Sequence, residues 1–128
     1  MKQLVQTICL LACAGLMLEA QAPVSTKTTD VLVLMIPKPG VQREQILKVM
    51  PEEVRATVRL YLEGKIRQWY SRSDGKGVIF LVDAKTEDEA RAVMETLPLA
   101  KEKLMDHEYI PVGPLMPLRA LIGAGGQQ

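Results

Sequence analysis

Three observations in the sequence predict an α+β fold. Two short apolar runs, residues 31–36 (VLVLMI) and 78–82 (VIFLV), read as strands with apolar side chains on both faces. Two stretches of helical spacing, each opening with helix-start chemistry, separate these runs from further strand-like segments. Both cysteines, Cys9 and Cys13, sit near the N-terminus, so the core of the remaining chain must come from packing, without disulfides.

Residues 1–22 read as a secretory signal. Lys2 is its basic start, residues 8–18 (ICLLACAGLML) its apolar centre, and Ala20 and Ala22 the small residues a signal peptidase reads. An apolar stretch of about 11 residues is too short for a membrane span. The expected localisation is therefore export, to the periplasm or beyond. Leu10-Leu11-Ala12-Cys13 also fits a lipobox, which makes a lipid anchor at Cys13 the alternative. Losing one Lys and one Glu with the signal leaves the net charge at +1. No basic run of the density that nucleic acid requires is present, so nucleic acid is excluded as a partner.

Residues 23–30 read as a polar, flexible leader. The first strand, 31–36, ends at Pro37-Lys38-Pro39-Gly40, punctuation that no helix continues through. Residues 42–50 suit a short helical turn with Ile46 and Leu47 inward. Pro51 suits the first position of the main helix, where a missing N–H costs nothing. Glu52 and Glu53 place negative charge at that N-terminus. Val54, Val58, Tyr61 and Leu62 form the expected inward stripe, and Gly64 the left-handed cap.

Residues 66–72 (IRQWYSR) favour a strand by their β-branched and aromatic content. Asp74-Gly75 marks a hairpin turn into the strand 78–82. Thr86 and Glu89 form a capping box for a second helix whose stripe is Ala90, Val93, Met94 and Leu97, with Pro98 closing it. Residues 108–112 (EYIPV) read as a last strand, with Pro111 pointing to an edge. Residues 114–122 form a short tail within the domain, and residues 123–128 (GAGGQQ) read as disordered. The domain thus spans residues 31–122, in the order βαββαβ of a ferredoxin-like domain. Its helices cover one sheet face only, yet two strands are apolar on both. A second copy covering the other face gives a dimeric α+β barrel, so the expected partner is the chain itself, as a homodimer or higher homo-oligomer.

Three segments resemble muconolactone delta-isomerases: residues 63–70 (EGKIRQWY), residues 78–84 (VIFLVDA), and residues 95–99 (ETLPL), together with the final strand running into Gly113-Pro114. The resemblance covers most of the chain after the signal. It implies the same dimeric barrel, a small organic ligand and a cofactor-free proton shift that moves a double bond in a small lactone or carboxylate. Gln68 stands where that enzyme carries His, and Arg72 follows one residue later than its second Arg.

The candidate substrate-binding residues are Arg67, Trp69, Tyr70 and Arg72. Either Arg could hold a carboxylate through a bidentate pair, and the aromatic pair could wall an apolar pocket. Alternation puts Gln68, Tyr70 and Arg72 on one face and Arg67, Trp69 and Ser71 on the other. The candidate catalytic residues are His107, the only histidine, and Glu108 beside it. One His and no cysteine after the signal give no metal-ligand spacing, so no metal and no cofactor are expected. No phosphate loop or nucleophile elbow occurs. Two functions fit: a binding protein with isomerase chemistry, or a non-enzymatic envelope module whose assembly is its function.

Overall fold

The computed structural model describes residues 26–115. Strand β1 (Asp30–Pro37) alternates: Val31, Val33 and Met35 are buried on one face, while Leu32 and Leu34 are half-buried and Ile36 exposed on the other. Strand β3 (Val78–Val82) pairs antiparallel with β1, setting Phe80 beside Val33 and Ile79 beside Leu34. Strand β2 (Ile66–Ser71) adds outside β3, and β4 (Met105–Val112) on the far side of β1. The sheet order is β2-β3-β1-β4, antiparallel throughout and open, with helices covering one face. This α+β architecture is compatible with a ferredoxin-like fold. Strand β4 starts earlier than its sequence suggests, and Pro111 sits on it at the sheet edge, where a missing N–H breaks no ladder bond.

Helix α1 (Arg43–Leu62) corrects the expected break at Pro51 and runs through it. Pro51 removes one helical hydrogen bond, to the Leu47 carbonyl, but both residues are exposed, so water can take the donor's place. The Gln42 N–H donates to Gln45 Oε1 at 2.8 Å and starts the helix eight residues before the proline. At the other end Gly64 adopts φ +75°. Its N–H donates to Tyr61 O at 3.0 Å and the Lys65 N–H to Leu60 O at 2.9 Å, the paired bonds of a Schellman cap.

Continuity through Pro51 also sets the rotation of α1. Its inward ladder is Met50, Glu53, Thr57 and Leu60, whereas Val54, Val58, Tyr61 and Leu62 are exposed. The expected stripe is therefore corrected by about a quarter turn of helix. Helix α2 (Glu87–Met94) is capped by Thr86, whose Oγ1 accepts from the Glu89 N–H at 3.2 Å. The Glu89 carboxylate accepts from the Lys85 N–H at 2.7 Å, one residue short of a reciprocal box. Pro98 does more than close α2: it opens a further short helix, α3 (Pro98–Lys101). Ala90, Met94, Leu97 and Leu99 seal the core against Val31, Val33, Phe80 and Val82.

The expected signal at 1–22, with Cys13, and the tail at 123–128 lie outside the described residues. Among the described residues no helix is long and apolar enough to cross a membrane.

Candidate functional site

The seam between α1 and the sheet carries a carboxyl where a core residue would be expected. Glu53 is only 4% exposed, and Thr57, one turn on, is buried as well. One carboxyl oxygen of Glu53, Oε2, accepts from the Leu99 N–H of α3 at 2.8 Å. The other, Oε1, is buried with no hydrogen-bond partner among the described residues. Burial pushes the Glu53 carboxyl above the ordinary carboxylate range, and the Leu99 hydrogen bond opposes that only in part.

Glu53 lines a cavity of about 200 Å³. Trp69 and Ser71 of β2 form one wall, Val78 and Phe80 of β3 the floor, and Thr57 lies beside Glu53 on α1. Among the described residues of this lining, Glu53 is the sole ionisable group with a raised pKa. A wider groove of about 630 Å³ shares Met35, Met50, Ser71, Val78 and Leu99 with the cavity and therefore adjoins it. Arg43 of α1 and Arg72 of the β2–β3 hairpin line that groove. The arrangement is a small apolar chamber with one buried carboxyl inside and two guanidinium groups outside.

No protein-family model matches the chain, and no curated protein matches it either.

Of the candidate binding and catalytic residues, Trp69 alone lines the inner cavity. Its ring meets Tyr61 edge to face, with centroids 4.9 Å apart and planes at 79°. Tyr70, next along β2, points to the open face, where its hydroxyl donates to Gln68 Oε1. Arg67 departs from the alternation expected of it. A bulge between Ile66 and Gln68 interrupts the ladder at Arg67, which lines an open depression of about 370 Å³ with Tyr61, Gln68, Trp69 and Tyr70. The Arg67 guanidinium reaches across the sheet edge to Asp30 at 2.5 Å and Asp83 at 3.0 Å, and Lys85 joins Asp83 at 3.4 Å. Two carboxylates of the chain's own thus occupy the Arg67 fork.

Arg72 pairs with Asp74 in the hairpin at 2.6 Å. That contact and the Lys76 N–H, the larger cause, hold the Asp74 carboxyl below its usual range. Besides the groove, Arg72 lines a small pocket of about 160 Å³ with Leu34, Ile36, Asp106, His107 and Glu108, so three of the candidate site residues meet there.

His107 and Glu108 line that one pocket, although their strand partners alternate. His107 pairs with Met35 on the helix side, while Glu108 pairs with Leu34 on the open side. The imidazole stacks on Tyr109 at 6.0 Å, and Arg91 covers the Tyr109 ring at 4.4 Å. Burial pushes the His107 pKa down, against the pull of Asp106. Neither residue lines the Glu53 cavity, so adjacency in sequence does not make them an acid–base pair. Among the described residues no group of three His, Cys, Asp or Glu side chains converges on a metal site.

Sequence reasoning passed over Thr57 and Arg43, and read Glu53 only as a helix-start charge. Their signal is the ladder Ile46, Met50, Glu53, Thr57, Leu60, a helical spacing that becomes visible only when Pro51 is read as a helix interior.

Proposed function

We propose that this protein is an exported small-molecule-binding protein, resembling muconolactone isomerase, that pairs into a dimeric α+β barrel and carries out a cofactor-free proton shift on a small lactone or carboxylate. The apolar cavity with its single buried carboxyl carries this reading. An engineered apolar cavity of about 150 Å³ accepts benzene, so about 200 Å³ suits a single small ring. Few, well-placed polar groups among apolar walls are the usual makeup of an organic-ligand site.

The barrel is supported by the uncovered sheet face. Leu32, Leu34, Ile79, Leu81 and Ile110 share it; the first four are incompletely buried and Ile110 is exposed in one chain. Charge favours a second copy as the cover. Arg72 lines one small pocket with Asp106 and Glu108 at that face, so both signs of charge are present there. A two-fold axis along the strands would set β2 of one copy over β4 of the other, bringing Arg72 onto the partner's acidic edge. Residues 1–22 support export.

Trp69 is the only tryptophan, so its emission reports on the cavity directly. Titration with a panel of small lactones and carboxylates is expected to give saturable quenching by at least one member. No saturable response from any member would refute the binding reading. Sedimentation is expected to show a dimer at micromolar concentration, and a lone monomer would refute the barrel.

A non-enzymatic envelope module, for binding or assembly, is the second reading. It is favoured by the engagement of Arg67 with Asp30 and Asp83, an arrangement that ties three strands together. In that case replacing Arg67 or Arg72 changes assembly and leaves ligand affinity untouched.

A further inference from the structure

We propose that the inner cavity and the groove beside it form one site for a free, straight-chain carboxylate of medium length, with the alkyl chain in the cavity and the carboxylate in the groove at Arg43. The inference rests on the reading of the cavity as a ligand site and extends that site into the groove.

The two voids are joined, and their polarity runs one way. Met35, Met50 and Val78 are among the residues that line both. Among the described residues of the inner lining there is no cation, and the one ionisable group is the Glu53 carboxyl. An anionic head would be desolvated there with nothing to pair it, so it stays out, while an apolar chain meets apolar walls. In the groove the balance reverses: Arg43 and Arg72 line it, and no carboxylate does. Arg72 is already paired with Asp74. Arg43, exposed at the start of α1, has no ion-pair partner among the described residues, which leaves its guanidinium fork open to a ligand.

Size and lining favour a chain. An engineered cavity of about 150 Å³ takes the six carbons of benzene; on that scale about 200 Å³ holds about eight carbons, and the groove adds room for the head group and a few more. Met35 and Met50 line both voids and Met105 the groove. Unbranched thioethers re-pack around chains of different length more readily than branched side chains do. Leu47, beside Arg43 in the groove, is 51% exposed and would gain apolar cover from the bound chain. The groove lies on the helix side of the sheet, away from the open face that a second copy covers in the proposed barrel, so ligand and partner do not compete for it.

The test reads Trp69 emission in the purified protein, because this ring lines the inner cavity. The probes are straight-chain carboxylates from butanoate to tetradecanoate and the primary alcohols of the same lengths, all below their micellar concentrations. Carboxylate affinity is expected to rise about three- to fourfold per added methylene, the scale of burying one CH2, and to level off near about ten carbons. Each carboxylate should bind about tenfold more tightly than the matching alcohol. Arg43→Gln should weaken the carboxylates by about tenfold and leave the alcohols within about twofold, whereas Arg59→Gln, an exposed change lining neither void, should move neither series.

Carboxylates no tighter than alcohols, or carboxylates that ignore Arg43→Gln, overturn the proposal. So does affinity that does not depend on chain length. If lactones still quench Trp69 in the same preparation, the cavity stands as a ligand site without the groove. Trp69 emission that answers to neither lactones nor carboxylates overturns the site and the proposal together. Two further occupants are separated in the same experiment. Sedimentation in decanoate that splits paired chains would give the groove to a second copy, and phosphatidylglycerol vesicles that outcompete decanoate would give it to a membrane surface; either result overturns the free ligand. Should Arg43→Gln not fold, the wild-type comparison of carboxylates with alcohols decides.

Discussion

Replacing Glu53 by Gln and by Ala separates the ionisation of this side chain from its hydrogen bond. Burial raises the Glu53 pKa in the folded chain above its unfolded value. Between those two values the folded state holds a proton that the unfolded state has lost, so stability falls as pH rises. The full contribution is present below the ordinary carboxylate range and is lost as pH climbs through the raised value. Each unit of difference is worth about 1.4 kcal/mol. Gln has nothing to ionise and still accepts from the Leu99 N–H. The two proteins should agree within about 0.5 kcal/mol at about pH 4, with Gln drawing ahead toward about pH 8. Ala removes the acceptor as well. Leu99 is 1% exposed, so its N–H has no access to water, and an orphaned buried donor costs about 1–3 kcal/mol at every pH. Urea unfolding at fixed protein concentration across this range measures all three. A wild-type-to-Gln difference that stays constant with pH would refute the buried, proton-holding carboxyl. An Ala variant no weaker than Gln at low pH would refute the role given to the Leu99 hydrogen bond.

His107 should behave with the opposite sign. Burial lowers its folded pKa, so its contribution is present above the unfolded value of about 6.5 and is lost as pH falls toward the folded one; proton NMR of this single histidine should show a midpoint below 6.5, and a midpoint at or above that value sinks the claim. Gly77→Ala should destabilise the fold by about 2 kcal/mol or more, because φ is +138° and a Cβ would lie 2.2 Å from the Met35 carbonyl oxygen; an unchanged melting temperature would be the contrary result. Leu34→Asp, on the uncovered sheet face and opposite Glu108, should cost one chain about 1 kcal/mol and abolish pairing; a variant that still sediments as a dimer, with native circular dichroism, would contradict the proposed interface.

Features that depend on a few neighbouring residues were legible in the sequence. The run at 78–82 needs only its own apolar pattern, Gly64 only its position after a helix, and Thr86 only the residues it caps. Features set by distant partners were not. Pro51 fits a first helical turn as well as an exposed helix interior, and only the start at Gln42 and the packing of α1 decide between them. Arg67 sits at a bulge and is held by Asp30 and Asp83, a mismatch between two strands and a pairing that no one segment reveals alone. Glu53 was read as a helix-start charge because a buried carboxyl is costly without a partner. That partner, the Leu99 N–H, is 46 residues away.

Cavity and open face are opposite sides of one sheet, and β2 touches both. Trp69 walls the cavity on one side, and Tyr70 faces the uncovered surface on the other. As an edge strand, β2 is hydrogen-bonded only to β3, so its order depends strongly on what packs against its faces. In the proposed barrel a second copy would press on Tyr70, while a ligand would press on Trp69. Each event would order backbone that the other also needs ordered, and coupling of this kind is reciprocal. The binding and assembly readings then cease to be rivals. In the proposed barrel, pairing would stiffen the wall of the site, and occupancy of the site would strengthen the pair.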